Sequence, residues 1–163
     1  MRIKKSTMAD LPRLLEIYRH ARAFMAKTGN PKQWGDFWPP SSVIENDIKQ
    51  AKSYVCIYNN KIAGTFFFDM GKDVEPTYKK ITQGNWLNTD PYGVIHRLAA
   101  AGSAKGIGTF CISWCFEQCK HLRADTHPDN VAMKNLLIKL GFKKCGIIKV
   151  LHDDMPRLAF EKF

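Results

Sequence analysis

The sequence contains no long hydrophobic run. No apolar stretch reaches the roughly 18 residues that suggest a membrane-spanning helix, and the basic start MRIKKSTMAD is not followed by the apolar segment of a secretion signal. We therefore expect a cytoplasmic protein without membrane contact. Internal repeats, low-complexity tracts and linkers are also missing, so residues 1–163 are expected to form one domain.

Paired cysteines and metal-binding spacings are missing as well. The five cysteines are an odd number without zinc-type spacing, which favours a reducing compartment and argues against a disulfide framework. Cys111, Cys115 and Cys119 recur every four residues and therefore share one face of a predicted helix. The cluster-binding motif of radical enzymes, C-x-x-x-C-x-x-C, has one residue fewer between its last two cysteines and lies in a loop, so these cysteines do not match it. We interpret these thiols as core residues and expect no metal.

Acidic residues are few. The 15 Asp and Glu residues stand against 25 Lys and Arg residues, which gives a net charge of +10. Such a charge favours anionic partners such as nucleotides or nucleic acid. The lysines are scattered, without a dense basic tail, so a basic nucleic-acid-binding module is an alternative and not the main prediction. The same charge argues against a polyamine as substrate and would suit acidic peptides, RNA-borne amines or phosphorylated metabolites.

The hydrophobic pattern predicts alternating strands and helices. Thr7 and Asp10 form a capping-box pattern at the start of the first helix, and Gly141 ends the last helix. An antiparallel first half is followed by two strand–helix–strand units, which indicates an α/β (α+β) layered domain. The predicted strands are RIKKST, SYVCIY, IAGTFFF, YGVIHRLAAA, LRADTH, FKKCGIIKV and RLAFEKF.

The stretch LAAAGSAKGIGTF, residues 98–110, has the pattern of a phosphate-binding turn. It joins a strand to a helix, and the unpaired N–H groups of a first helical turn attract anions. Gly106 and Gly108 would let phosphate oxygens approach, and Lys105 would add charge. A Walker A loop is excluded, because no glycine here precedes Lys-Ser or Lys-Thr. A dinucleotide fingerprint is weak, because Cys111 stands at the place of its third glycine.

This stretch, together with DTHPDN and LLIKLGF further on, resembles the GNAT superfamily of acyl-CoA-dependent N-acyltransferases. Gly106 and Gly108 match its first signature, in which Ser103 stands where the family prefers Arg or Gln. Asn130 matches the start of the second signature helix, which closes on Gly-Phe here as in the family. Leu137 lies at the place of a tyrosine that often protonates the leaving thiolate.

The resemblance implies the acyl-CoA N-acyltransferase-like fold, with a mixed central sheet of about six to seven strands flanked by about four helices. It implies acetyl-CoA as co-substrate, with pantetheine in a gap between splayed central strands and the pyrophosphate on the glycine loop. A helix cap is the alternative role for Asn130. The implied cofactor-binding residues are Leu98, Ala99, Ala100, Ser103, Ala104, Lys105, Gly106, Ile107, Gly108, Thr109, Asn130 and Asn135.

The reaction implied by the resemblance is direct attack of an amine on the acetyl thioester. A lysine-like amine has a pKa of about 10, so it must lose a proton first. His96 is the first candidate base, because its strand would face cofactor and substrate. Strict alternation would place His96 and Leu98 on one face of that strand. His127 is a further candidate for the acid or base, and Tyr92 and Tyr78 are candidates for the acid.

Packing roles are the alternative for these side chains. His96 could pack against a helix, the turn HPDN could explain His127, and Arg97 with Asp125 could form an ion pair between neighbouring strands. The resemblance implies that the aromatic loop TGNPKQWGDFWPP and the long loop from Met70 to Asp90 wall the acceptor site through Trp34, Trp38, Tyr78 and Trp86. The alternative is that these aromatic side chains anchor the two loops onto the core.

The acceptor is expected to be a small-molecule or peptide amine. A catalytically silent acyl-CoA sensor is a second alternative, because Ser103 and Leu137 depart from the family pattern. The sequence leaves the oligomeric state open, with a homodimer as one alternative to a monomer.

Overall fold

One central sheet organises the protein, and the computed structural model describes residues 1–163. The strands are β1 (Arg2–Lys5), β2 (Ser53–Tyr58), β3 (Lys61–Gly71), β4 (Tyr92–Ala100), β5 (Leu122–Thr126), β6 (Lys143–Lys149) and β7 (Pro156–Lys162). The helices are α1 (Leu11–Lys27), α2 (Ser41–Lys49), α3 (Ile107–Cys119) and α4 (Val131–Lys139), with 3₁₀ turns at Met8–Asp10 and Pro76–Lys79.

The strand order is β1-β2-β3-β4-β5-β7-β6. Only β4 and β5 run parallel, and every other neighbouring pair is antiparallel. This arrangement confirms the expected mixed sheet with helices on both faces. The predicted capping box also forms, because the Asp10 carboxylate accepts the Thr7 N–H at 2.8 Å. None of the helices is both long and apolar enough to cross a bilayer.

Each face of the sheet buries its own apolar cluster. Helices α1 and α2 pack on one face through Leu14, Tyr18 and Ile44. Helices α3 and α4 cover the other face, where Cys111 and Leu137 are fully buried. The cysteines of α3 are therefore packing residues, as the sequence predicts, and all five cysteines are free thiols.

The two parallel strands separate soon after they meet. Their register contains only Gly93 opposite Leu122 and Val94 opposite Arg123. Beyond Val94, strand β4 continues to Ala100 without a partner on its β5 side. The expected gap between central strands is therefore present, and it opens toward the glycine loop.

A β-bulge in β4 changes which side chains share a face. Thr65 of β3 pairs with Ala99 and Phe67 pairs with His96, so β4 holds one extra residue in this interval. Arg97 absorbs the bulge with a left-handed φ of 52°. The expectation that His96 and Leu98 share a face is wrong: His96 packs near Phe67, whereas Leu98 packs on the α3–α4 cluster.

Candidate functional site

The glycine loop between β4 and α3 presents free hydrogen-bond donors. None of the N–H groups from Gly102 to Thr109 has an acceptor within the protein, and the first amide of this region to find one is that of Phe110, which bonds the Gly106 carbonyl at 2.9 Å. Gly106 is the N-cap of α3 and has a φ of 80°. A run of free donors at a helix N-terminus is suited to an anion.

A different structural constraint favours glycine at each glycine position of this loop. A Cβ on Gly102 would lie 2.8 Å from Nε2 of His20, and Gly102 also has a φ of +73°. A Cβ on Gly108 would lie 2.9 Å from Leu136, so this glycine lets α3 pack closely on α4. A Cβ on Gly106 would meet nothing within 4 Å, and only its positive φ favours glycine there.

Two clefts meet beside β4. The first, which we call the loop cleft, has a volume of about 300 Å³ and lies between α1, β4 and α4, next to the glycine loop. The second, which we call the histidine cleft, has a volume of about 250 Å³ and contains His96. Both clefts are lined by Met25, Leu98, Asn130 and Met133. A molecule held in one cleft would therefore touch a molecule held in the other.

The predicted cofactor-binding residues divide between cleft and loop. The loop cleft is lined by Leu98, Ala99, Ala100, Gly108 and Asn130. The residues Ser103, Ala104, Lys105, Gly106, Ile107 and Thr109 belong to the glycine loop and the first turn of α3, where the free N–H groups lie.

Asn130 has the geometry of a helix cap. Its Oδ1 accepts the Met133 N–H at 3.0 Å, and its Nδ2 donates to Oε1 of Gln33 at 2.8 Å. Asn130 is therefore a helix cap, the alternative role considered from the sequence, and it also lines both clefts. Asn135 is exposed and lines neither cleft.

His96 lies between two carboxylates. Its Nε2 is 2.8 Å from Oε2 of Glu75, and its Nδ1 is 3.5 Å from Oδ2 of Asp125. Glu75 comes from the loop after β3, where it also caps the Pro76–Lys79 turn by accepting the Thr77 N–H at 3.0 Å. The long loop therefore contributes directly to the cleft.

The charge of Glu75 decides the tautomer of His96. Burial acts to raise the pKa of Glu75, but hydrogen bonds from His96 and Thr77 outweigh it and lower the pKa to about 2. An ionised carboxylate only accepts hydrogen bonds, so Nε2 of His96 must carry a proton. Nδ1 then keeps a lone pair in the neutral ring, and its 3.5 Å separation from Asp125 is too long for a good hydrogen bond.

Asp125 does not pair with Arg97. It accepts the hydroxyl of Tyr78 at 2.8 Å, while Arg97 forms an ion pair with Asp47 of α2 at 2.7 Å. The suggested ion pair between neighbouring strands is therefore wrong. The bulge explains why, since it places Arg97 toward α2, over the ring of Phe67 at 4.7 Å.

His127 and Tyr92 line neither cleft. His127 is 4% exposed, its Nδ1 accepts the Asp129 N–H at 3.1 Å, and burial lowers its pKa. Tyr92 is buried against the guanidinium of Arg123, whose Cζ lies 4.1 Å from the ring centroid. Their surroundings favour the turn and packing roles over contact with a substrate.

Comparison with known proteins gives a consistent result. No family model and no curated protein matches the sequence. Among solved structures, an acetyltransferase of the GNAT family from Streptococcus agalactiae is 29% identical, with a TM-score of 0.88 over 99% of this chain and 94% of that chain. A Staphylococcus aureus protein assigned as an acetyltransferase is 25% identical, with a TM-score of 0.73 over 99% of this chain and 98% of that one.

The chain belongs to the GNAT superfamily. A third GNAT-like structure, yncA from Salmonella typhimurium, is assigned as an acetyltransferase and was solved with its cofactor acetyl-CoA. It is 17% identical, with a TM-score of 0.64 over 99% of this chain and 92% of that chain.

This GNAT domain has no tyrosine at the place where the resemblance implies a general acid. Leu137 occupies it and is fully buried in the core, so the position cannot reach a substrate. Glu75 and Asp125 are the residues of the cleft that sequence reasoning missed as partners of His96. Parallel pairing of Val94 with Arg123 would have indicated Asp125, since it puts the next residues on the same face, His96 and Asp125, side by side.

Aromatic residues of the loop between α1 and α2 line the histidine cleft. Trp34 packs edge-on against Tyr18 with ring centroids 5.7 Å apart. Trp38 stacks on His152 of the loop between β6 and β7, with centroids 3.9 Å apart. Both indoles line the cleft, so the two loops meet across its opening.

Proposed function

We propose that the protein is an acetyl-CoA-dependent N-acetyltransferase that transfers an acetyl group to the primary amine of a small molecule or peptide. The observation that carries the proposal is the junction of the loop cleft and the histidine cleft at Leu98, beside the gap between β4 and β5. A donor in one cleft would meet an acceptor in the other there. A GNAT neighbour that holds acetyl-CoA supports the identity of the donor.

The residues around the loop cleft fit an acyl-CoA. Ala99 and Ala100 give β4 small side chains, and the unpaired edge of β4 beyond Val94 leaves backbone groups for the amides of pantetheine. The free N–H groups of the glycine loop suit a diphosphate. Acetyl-CoA bound in this way supplies an acetyl group activated as a thioester.

His96 is the proposed general base. Glu75 holds the proton on Nε2, so Nδ1 can accept a proton from an ammonium that also donates to Asp125. The neutral nitrogen then attacks the carbonyl carbon, the C–N bond forms and the C–S bond breaks. The nitrogen then loses a second proton, which the departing thiolate takes up as the thiol of CoA, and His96 returns the first proton to solvent. A backbone N–H of β4 near Leu98 is the proposed donor to the carbonyl oxygen.

A thermal-shift comparison tests the donor. Acetyl-CoA and CoA should each raise the melting temperature by several degrees, because a ligand that binds only the folded state stabilises it. NAD shares the diphosphate but lacks pantetheine, and it should give no shift. An equal response to all three compounds, or a response to NAD alone, would contradict the proposal.

An acceptor screen on the same preparation distinguishes the alternatives. Transfer of acetyl to at least one primary amine supports the transferase. Tight acetyl-CoA binding without transfer to any amine in a broad panel supports a silent acyl-CoA sensor, which the buried Leu137 makes a specific alternative. Salt-dependent retention on nucleic acid that survives loss of CoA binding would support the nucleic-acid-binding module.

A further inference from the structure

We propose that the acceptor in the histidine cleft is a small primary ammonium with an apolar or aromatic body and no carboxylate or phosphate group. This inference rests on the proposed function and names the substrate class of the same site. Three features support it: the arginines of the cleft are already paired, two carboxylates share one imidazole, and the walls are aromatic.

The cationic side chains of the cleft have carboxylate partners of their own. Arg97 lies 2.7 Å from Asp47, and Arg157 lies 2.6 Å from Asp153. Burial lowers the pKa of His152, which favours its neutral form on the face of an indole. An anionic group on the acceptor would therefore find no arginine without a partner.

The carboxylates of Glu75 and Asp125 have no arginine or lysine partner. Glu75 and Asp125 converge on a single imidazole, so a neutral His96 leaves net negative charge in this part of the cleft. An ammonium that lay beside Nδ1 of His96 and Oδ2 of Asp125, which are 3.5 Å apart, could donate a hydrogen bond to each atom. A carboxylate or phosphate at the same depth would face two like charges, which disfavours its binding.

The walls and volume of the histidine cleft limit the polarity and size of the part of the acceptor that carries the amine. Trp34 and Trp38 contribute flat apolar surface that also attracts alkylammonium groups. The volume of about 250 Å³ equals about eight water volumes of ~30 Å³ each. Phenethylamine, a primary amine with one ring and two methylene groups, is a probe of suitable size.

The experiment compares three probes in acetyl transfer from acetyl-CoA: phenethylamine, L-phenylalanine amide and L-phenylalanine. The amide and the acid have nearly the same size and differ in charge. We expect kcat/KM for phenethylamine and for the amide to exceed that for L-phenylalanine at least tenfold. Calorimetric titration of each probe into the CoA complex should give the same order of affinity, which keeps the test independent of turnover.

The variant Asp125→Asn links the preference to the cleft. Loss of this carboxylate should raise KM for both amines and reduce the tenfold difference between amide and acid to threefold or less. The dissociation constant for acetyl-CoA, measured by calorimetry, should stay unchanged, since Asp125 lines only the histidine cleft. An unchanged amide-to-acid ratio in this variant would contradict the role of Asp125.

The outcomes separate this inference from the proposed function. The inference is overturned if L-phenylalanine is acetylated as well as its amide, or if no probe binds to the CoA complex. The proposed transferase function is still supported in that case if the protein binds acetyl-CoA and acetylates some other amine. Absence of acetyl-CoA binding overturns the proposed function itself.

Discussion

His96 shows how the neighbours of one side chain determine its chemistry. The sequence placed it on a strand that faces the cleft, and the structure adds Glu75 at Nε2 and Asp125 near Nδ1. Asp125 could have been found from the parallel register of β4 and β5. Glu75 could not, because no pattern in a loop of some twenty residues indicates which of its carboxylates turns back to the sheet.

We predict that His96→Ala lowers kcat by about 10²-fold or more, the usual contribution of a general base. The dissociation constant for acetyl-CoA should change little, because His96 does not line the loop cleft. Steady-state acetylation assays measure kcat, and calorimetry measures the dissociation constant for acetyl-CoA. His152→Ala is the matched control in the same cleft and should retain most of the turnover. Unaltered turnover in His96→Ala would remove it from the mechanism.

At the scale of elements, the order of strands and helices followed from apolar periodicity, turn residues and caps. The bulge in β4 could not be predicted in this way, because it does not change the composition of the strand. Its one extra residue nevertheless moves every later side chain to the opposite face of the sheet. Tyr18 shows the tertiary cause, because its hydroxyl donates to the Arg97 carbonyl at 3.2 Å and holds the bulge from α1. Such a contact joins residues far apart in the sequence.

We predict that Gly106→Ala destabilises the fold by about 1 kcal/mol, because alanine is strained at a positive φ. The new methyl group would point toward the anion site, so affinity for CoA should fall as well. Gly29→Ala is the matched control: Gly29 also has a positive φ and open space around it, but it follows α1. Chemical denaturation should show similar losses for both variants, whereas calorimetry should show weaker CoA binding only for Gly106→Ala. Equal CoA affinity in the two variants would contradict this role of the loop.

At the scale of the whole molecule, net charge and local charge differ. The surplus of +10 led to the expectation that a polyamine acceptor is disfavoured. The histidine cleft nevertheless combines paired arginines with two carboxylates, because the folded chain gathers Glu75 and Asp125 from distant segments. The net charge of the sequence describes the long-range attraction of anions to the protein. It does not show that two carboxylates come together in one cleft.

We therefore predict that CoA binding weakens as salt concentration rises, since the positive surface attracts the phosphates of CoA and salt screens this attraction. Pantetheine, which lacks those phosphates, should bind with little dependence on salt. Calorimetric titrations between 50 mM and 500 mM sodium chloride, with pantetheine as the control ligand, measure the difference. Parallel salt curves for the two compounds would show that the surface charge has no part in recognition.

The short register between β4 and β5 has a mechanical consequence. Strands β1 to β4 form one ribbon and β5, β7 and β6 form another, and only two facing residue pairs join them along the seam. Side-chain packing therefore supplies most of the attachment between the ribbons, since one buried cluster takes Phe68 and Ile95 from the first and Ala124 and Phe160 from the second. A ligand that lay along the open edge of β4 would add main-chain hydrogen bonds at the place where β5 offers none.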